Sequence, residues 1–241
     1  MPIRTFLFAP GSNLKVMTKA IQSEADAVIL DLEDSVVMAE KAVAREQVAN
    51  FIKEDIAPEN KIKVYVRINS LDTDFCYDDV KILTCPKLTG FFLPKAESAE
   101  DISRVDLLIA AVEEAQGISK GQLDLIPIVE SAEGVVRAQE IAIASKRVSR
   151  LAFGALDYAL DLGISISDTG EELIYPRSML AIAAKVAGKK PPVDCVYANI
   201  KNTAGFNMDV GRGKQQGAFG KMIIHPSQIQ AVHEAYSPTD T

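Results

Sequence analysis

The chain has 241 residues, 48% of them apolar and 24% charged, which provides for a sizeable core and excludes a disordered, fibrous or low-complexity chain. Its 26 Lys and Arg against 33 Asp and Glu leave a formal charge of −7, so there is no long-range positive field to recruit nucleic acid, while small anionic ligands stay admissible. Cys76, Cys85 and Cys195 are odd in number and lack zinc-ligand spacing, which predicts neither a disulfide framework nor a structural metal and suits a reducing cytoplasm.

At the amino terminus the apolar stretch of MPIRTFLFAPGSN ends at Pro10-Gly11, too early for a signal peptide. No run elsewhere approaches the roughly 20 apolar residues that cross a bilayer, so no membrane partner is expected. Residues 5–9 are the first of eight short apolar runs; the others are 27–31, 64–68, 90–94, 124–129, 150–154, 193–197 and 221–225. Several are continuously apolar, as strands buried on both faces are. Helical spacing fills the gaps: Leu14, Met17 and Ile21 form one stripe, Val135, Ala138 and Ala142 another, and Met179, Ile182, Ala183 and Val186 a third. Eight such units predict a TIM (β/α)8 barrel, with residues 1–241 as a single domain. A doubly wound open sheet also alternates strands and helices, but no Gly-rich phosphate fingerprint follows the first run.

Barrel enzymes carry their chemistry at the carboxyl ends of the strands. Ionisable groups stand at five of these ends: Asp31-Leu32-Glu33-Asp34, Arg67, Lys95, Glu130 and Asp157. Glu130 and Asp157 end successive strands, and two carboxylates about 4 Å apart repel by roughly 4 kcal/mol at an effective dielectric near 20. A divalent cation with open positions for water and substrate relieves that repulsion; neutralisation by Arg67 in a structural network is the other reading. Lys15 and Lys19 share one face of the first helix beside the barrel mouth, as an anion-binding pair or as a solvated face. His225 ends the last run, where it is either a base or ligand or the cap of a turn. There is no G-x-S-x-G elbow and no cysteine at a strand's carboxyl end, which disfavours covalent catalysis. DTDFCYDD, residues 72–79, lacks the Gly and Glu of a calcium loop and reads as a solvated loop entering a helix.

LFAPGSN, AVILDLEDSV with EKAVAR, VRINS, FFLPKAES, IPIVESAEGV, LAFGALDYALDLG, YPRSMLAIAAKVAG, GKMIIHPSQI and AYSP, in that order, resemble the citrate lyase beta-subunit (CitE-like) family within the HpcH/HpaI aldolase/citrate lyase group. The resemblance implies that Glu130 and Asp157 hold Mg²⁺, that Glu130 also contacts substrate, that Arg67 binds its acyl or carboxylate group, and that Lys15 and Lys19 contact coenzyme A. It implies C–C bond cleavage in a 3-hydroxyacyl-CoA such as citryl-CoA, malyl-CoA or citramalyl-CoA, with Glu130 and Arg67 catalytic. A homo-oligomer is expected, with a trimer and a hexamer among the options. Many relatives continue past the Ser-Pro segment with a helical extension that covers a neighbouring subunit's site, whereas this sequence stops at Thr241. Its Gly11-Ser12-Asn13 also lacks the Asp-Arg pair found in many members. Glu33 and Asp34 are candidate proton acceptors by location, or else a network that anchors Arg45 or Arg67. Two competing functions are an aldolase acting on a free 2-oxo acid and a noncatalytic CoA-ester-binding subunit that needs a partner chain.

Overall fold

The computed structural model describes residues 2–57 and 60–237. Pro238 of the AYSP segment, and with it the end of the expected 1–241 domain, lies outside the described residues. Among the described residues the apolar runs form β1 (Thr5–Pro10), β2 (Ala27–Asp31), β3 (Lys63–Arg67), β4 (Gly90–Leu93), β5 (Asp124–Val129), β6 (Ala152–Phe153) and β7 (Lys221–Ile223). They lie parallel in the order β6-β5-β4-β3-β2-β1-β7. The eighth run, 193–197, is reduced to single bridges, Ala152 to Val193 on one side and Asp194 to Lys221 on the other. Val193 bonds back to Leu151 and Phe153, whereas Asp194 bonds to Gly220 and Met222. The chain thus changes partners between adjacent residues and never builds a ladder, yet the two bridges join both sheet edges. The result is a closed (β/α)8 barrel.

Around it lie α1 (Leu14–Ile21), α2 (Lys41–Asn50), α3 (Phe75–Leu83), α4 (Ala99–Ala115), α5 (Ala132–Val136), α6 (Ala138–Ile143), α7 (Ala155–Leu162), α8 (Ile174–Val186), α9 (Thr203–Gln215) and α10 (Ile229–Tyr236). Local signals start several of them: Asn13 accepts from the Val16 amide, and Ser98 and Asp101 form a capping box at α4. No helix among the described residues is long and apolar enough to cross a membrane.

Strand alternation divides the core in two. Phe6, Ile29, Tyr65, Phe92, Ile126 and Ile128 fill the barrel, and Leu7, Val28, Leu30, Val66, Phe91 and Leu93 pack outward beneath the helices. Phe6, Tyr65 and Phe92 meet with ring centroids 5.4–5.9 Å apart, so the barrel interior is solid at that level. Val135, Ala138 and Ala142 are buried as expected. Two stripes are corrected: Leu14 is exposed while α1 buries Met17 and Ala20, and α8 buries Leu180, Ala183 and Ala184 while Ile182 and Val186 face outward. In α8 the buried Arg177 sets the helix rotation.

Arg177 reaches the seam of the barrel, where its Nε lies 2.7 Å from Asp194 and its Nη2 2.7 Å from Asp209. Lys221 Nζ closes the square at 2.6 Å from Asp194 and 2.7 Å from Asp209. Two cations balance two carboxylates away from water. Burial alone raises the Asp194 carboxyl, but Lys221 and Arg177 beside it hold it below the usual carboxylate range. Removing one member strands an opposite charge, so Lys221→Met is expected to lower unfolding free energy by about 3–5 kcal/mol in urea titration. Because the folded Asp194 pKa is depressed, its contribution is present above an unfolded value of about 3.9 and lost as pH falls through the folded value. Asp194→Asn therefore flattens the decline of stability measured below about pH 4.

Candidate active site

The inward alternation that buries Ile29, Tyr65 and Ile128 carries forward two residues to Asp31, Arg67 and Glu130, and from Phe6 to Phe8. All four therefore turn into the mouth of the barrel at the strands' carboxyl ends. They line a cavity of about 370 Å³ together with Asp34, Leu156, Asp157, Val196 and Met222.

Asp31 and Arg67 are direct partners in the β2–β3 register. The guanidinium forks onto the carboxylate, Nε to Oδ1 at 2.7 Å and Nη2 to Oδ2 at 2.8 Å. Its Nη1 lies 2.7 Å from Glu33 Oε2 and 3.0 Å from Asp34 Oδ2, and its carbon stands 5.0 Å from the centre of the Phe8 ring. Burial works against the charge of Asp31, but Arg67 holds that carboxyl below its ordinary value. Of the two readings for the DLED segment, it is Arg67 that is anchored there; Arg45 turns instead to Asp79 at 2.6 Å. The alternative in which Arg67 neutralises Glu130 and Asp157 is not what the structure forms.

Lys41 and Arg45, one turn apart on α2, secure the loops on either side. Lys41 Nζ donates to the carbonyls of Leu32 and Glu33, each at 2.9 Å. Arg45 holds Asp79, whose other oxygen accepts from the Asn69 backbone at 2.8 Å and side chain at 2.7 Å. As expected, the stretch 72–79 is a loop that enters a helix, with Phe75 the first residue of α3; its solvated reading is corrected at Cys76 and Asp79, which are buried. Sequence reasoning passed over Asp79 because only tertiary packing distinguishes it from its acidic neighbours.

Glu130 is buried, and its Oε1 accepts from the Lys95 amide at 2.7 Å. Lys95 adopts φ 52°, the left-handed region, at a cost of about 1 kcal/mol or more, and this backbone turn presents its amide to Glu130. Gly154 is the second support. A side chain there would overlap Glu130 Oε2 and stand 2.5 Å from its Cβ, so the glycine creates the space the carboxylate fills. Burial, and next the charge of Glu33, push the Glu130 carboxyl up to about 8; burial likewise lifts Glu33 to about 6. Asp157 is half-buried in the first turn of α7. Neither Glu130 nor Asp157 forms an ion pair among the described residues, and five carboxylates here face two cations, Arg67 and Lys95. A buried carboxylate and a half-exposed one, both open to the cavity and both without a cation, fit a hard divalent ion that keeps several waters.

Lys15 and Lys19 lie on the exposed face of α1 and do not line the cavity, although Pro10 just before them does. His225 is exposed and caps the turn that follows it, its Nδ1 accepting from the Ser227 amide at 3.2 Å. The three cysteines are buried, and burial raises the Cys195 thiol to about 12, which suits no nucleophile. Asp194, Cys195 and Asp209 cluster like metal ligands, but Arg177 and Lys221 already neutralise them.

Residues 4–226 match the family described as HpcH/HpaI aldolase/citrate lyase. The chain is 36% identical to citrate lyase subunit beta of Haemophilus influenzae over 236 residues, 98% of this chain and 80% of that protein. It is 34% identical to the L-malyl-CoA/beta-methylmalyl-CoA lyase of Rhodobacter capsulatus over 257 residues, again 98% and 80%. Among solved structures, protein CitE from Mycobacterium tuberculosis in complex with magnesium, acetoacetate and coenzyme A superposes with a TM-score of 0.80 at 31% identity, covering 98% of this chain and 82% of that one.

Gly154→Ala is expected to displace Glu130 without unfolding the barrel, weakening divalent-cation binding about 10–100-fold. Titration calorimetry with Mg²⁺ reads the loss, and circular dichroism confirms the fold.

Proposed function

The chain belongs to the HpcH/HpaI aldolase/citrate lyase family, and we propose that it is a Mg²⁺-dependent C–C lyase acting on a 3-hydroxyacyl-CoA of the citryl-, malyl- or citramalyl-CoA type. The observation that carries the reading is the pairing of two uncompensated carboxylates, Glu130 and Asp157, with a fixed guanidinium, Arg67, in one cavity. The relatives' activities, on citrate and on malyl-CoA, support the same chemistry.

Glu130 and Asp157 hold the ion, with Gly154 and the Lys95 amide fixing the position of Glu130. Bound Mg²⁺ supplies Lewis acidity toward the carboxylate and hydroxyl of the acid portion. Once the hydroxyl proton passes to a base, the oxygen left behind forms the carbonyl of a 2-oxo acid as the C–C bond breaks. The bond's electron pair leaves on the thioester fragment as an enolate, and protonation yields the acetyl-CoA-like product. Arg67 hydrogen-bonds the charge that develops. It needs no reorganisation to do so, because Asp31 and Phe8 already hold its plane. Lys15 and Lys19, outside the cavity, meet the phosphates of coenzyme A, and exposed Leu156, Leu160 and Tyr175 support association as a homo-oligomer.

The test is mass spectrometry of a mixed panel of citryl-, malyl- and citramalyl-CoA, with and without Mg²⁺. Metal-dependent release of an acyl-CoA and a 2-oxo acid is the expected result; intact esters in both conditions would refute the lyase. Arg67→Ala and Glu130→Ala should each lower kcat/KM by about 100-fold or more, while Lys15→Ala or Lys19→Ala raises KM by about two- to fivefold with kcat unchanged.

A further inference from the structure

Arg67 is shared among three carboxylates, and they differ sharply in how firmly they are held. Asp31 has a side chain 4% exposed, grips Nε and Nη2 together, and also accepts from the Glu33 and Ser35 amides at 3.0 and 3.1 Å. Glu33 is 9% exposed, does not line the cavity, and sits in a loop whose carbonyls Lys41 ties down. Asp34 is 61% exposed, lines the cavity, and has no side-chain hydrogen bond or ion pair among the described residues besides its 3.0 Å contact with Nη1.

We infer that Asp34 is a displaceable stand-in for the substrate's anionic group on Arg67, and thereby sets which ligands the cavity accepts. The inference rests on reading the cavity as the acid-binding site of a lyase. The guanidinium cannot swing toward an incoming ligand, because the Asp31 fork and the Phe8 face hold it. An incoming carboxylate or enolate oxygen that takes over the Nη1–Asp34 hydrogen bond does so by turning Asp34 out toward solvent. An exposed ion pair is weak enough to exchange, whereas the buried Asp31 pair is not. A neutral group cannot replace a carboxylate on this nitrogen at equal strength, so Asp34 acts as a specificity-determining residue that lowers the affinity of neutral ligands more than that of anionic ones.

The experiment is calorimetric titration of pyruvate, as a probe 2-oxo acid, into Mg²⁺-saturated wild-type protein, Asp34→Ala and Asp34→Asn. With the competitor gone, both variants should bind pyruvate about two- to fivefold more tightly. Unchanged or weaker binding in both variants overturns the inference. A loss of Mg²⁺ affinity as large as that of Glu130→Gln would also overturn it and make Asp34 a metal-holding residue. If Mg²⁺ binds but pyruvate binds none of the three proteins, the acid-binding reading itself fails and this inference with it.

Discussion

The fork between Asp31 and Arg67 is the contact on which the mouth of the barrel depends. It exists because β2 and β3 pair in a register that sets these two residues side by side, both on the inward face. Asp31 then uses the same carboxylate to accept the Glu33 and Ser35 amides, so one acidic side chain fixes a guanidinium and shapes the turn after its own strand. α2 reinforces both loops from behind through Lys41 and Arg45. A buried ion pair of this kind contributes little net stability; what it secures is the position of a charge that must not move during reaction.

Two buried charge networks in the same barrel are built to opposite plans. At the seam, Arg177 and Lys221 balance Asp194 and Asp209 one for one, and their effect is to hold together a strand position too short to form a ladder. At the mouth, five carboxylates face two cations, and Glu130 is left buried near Glu33 and Asp157 with its ionised form disfavoured. An unbalanced network disfavours the folded state, and a fold retains one where the missing charge arrives with a ligand. That contrast separates the structural cluster, which resembles a metal site by composition, from the cavity that is fit to hold a metal.

The placement of Glu130 shows how several weak local choices combine. Its strand aims it inward, the left-handed turn at Lys95 gives it one hydrogen bond, and Gly154, between β6 and α7, leaves it room. These supports act through a strand direction, a backbone amide and a missing side chain rather than through a charged group, so motif chemistry points to Glu130 and not to how it is held.

Continuous apolar runs were sufficient to predict seven of the strands, the barrel and the strand-end positions of Arg67 and Glu130, because burial on both faces leaves a pattern that survives in one dimension; the eighth run forms only single bridges, and Asp157, expected at a strand end, lies in the first turn of α7. Helix faces were less legible: α8 rotates to bury Arg177, so Ile182 and Val186 turn outward against the apolar pattern. The partnership of each charge was decided by tertiary structure alone. Arg67 had acidic candidates on three strands, and only the β2–β3 register selected Asp31 over Glu130 or Asp157; Asp79 became a buried anchor only when α2 brought Arg45 to it. Charge pairing depends on distances of a few ångströms between residues far apart in the chain, and such distances are set by strand register and helix rotation, which local composition does not encode.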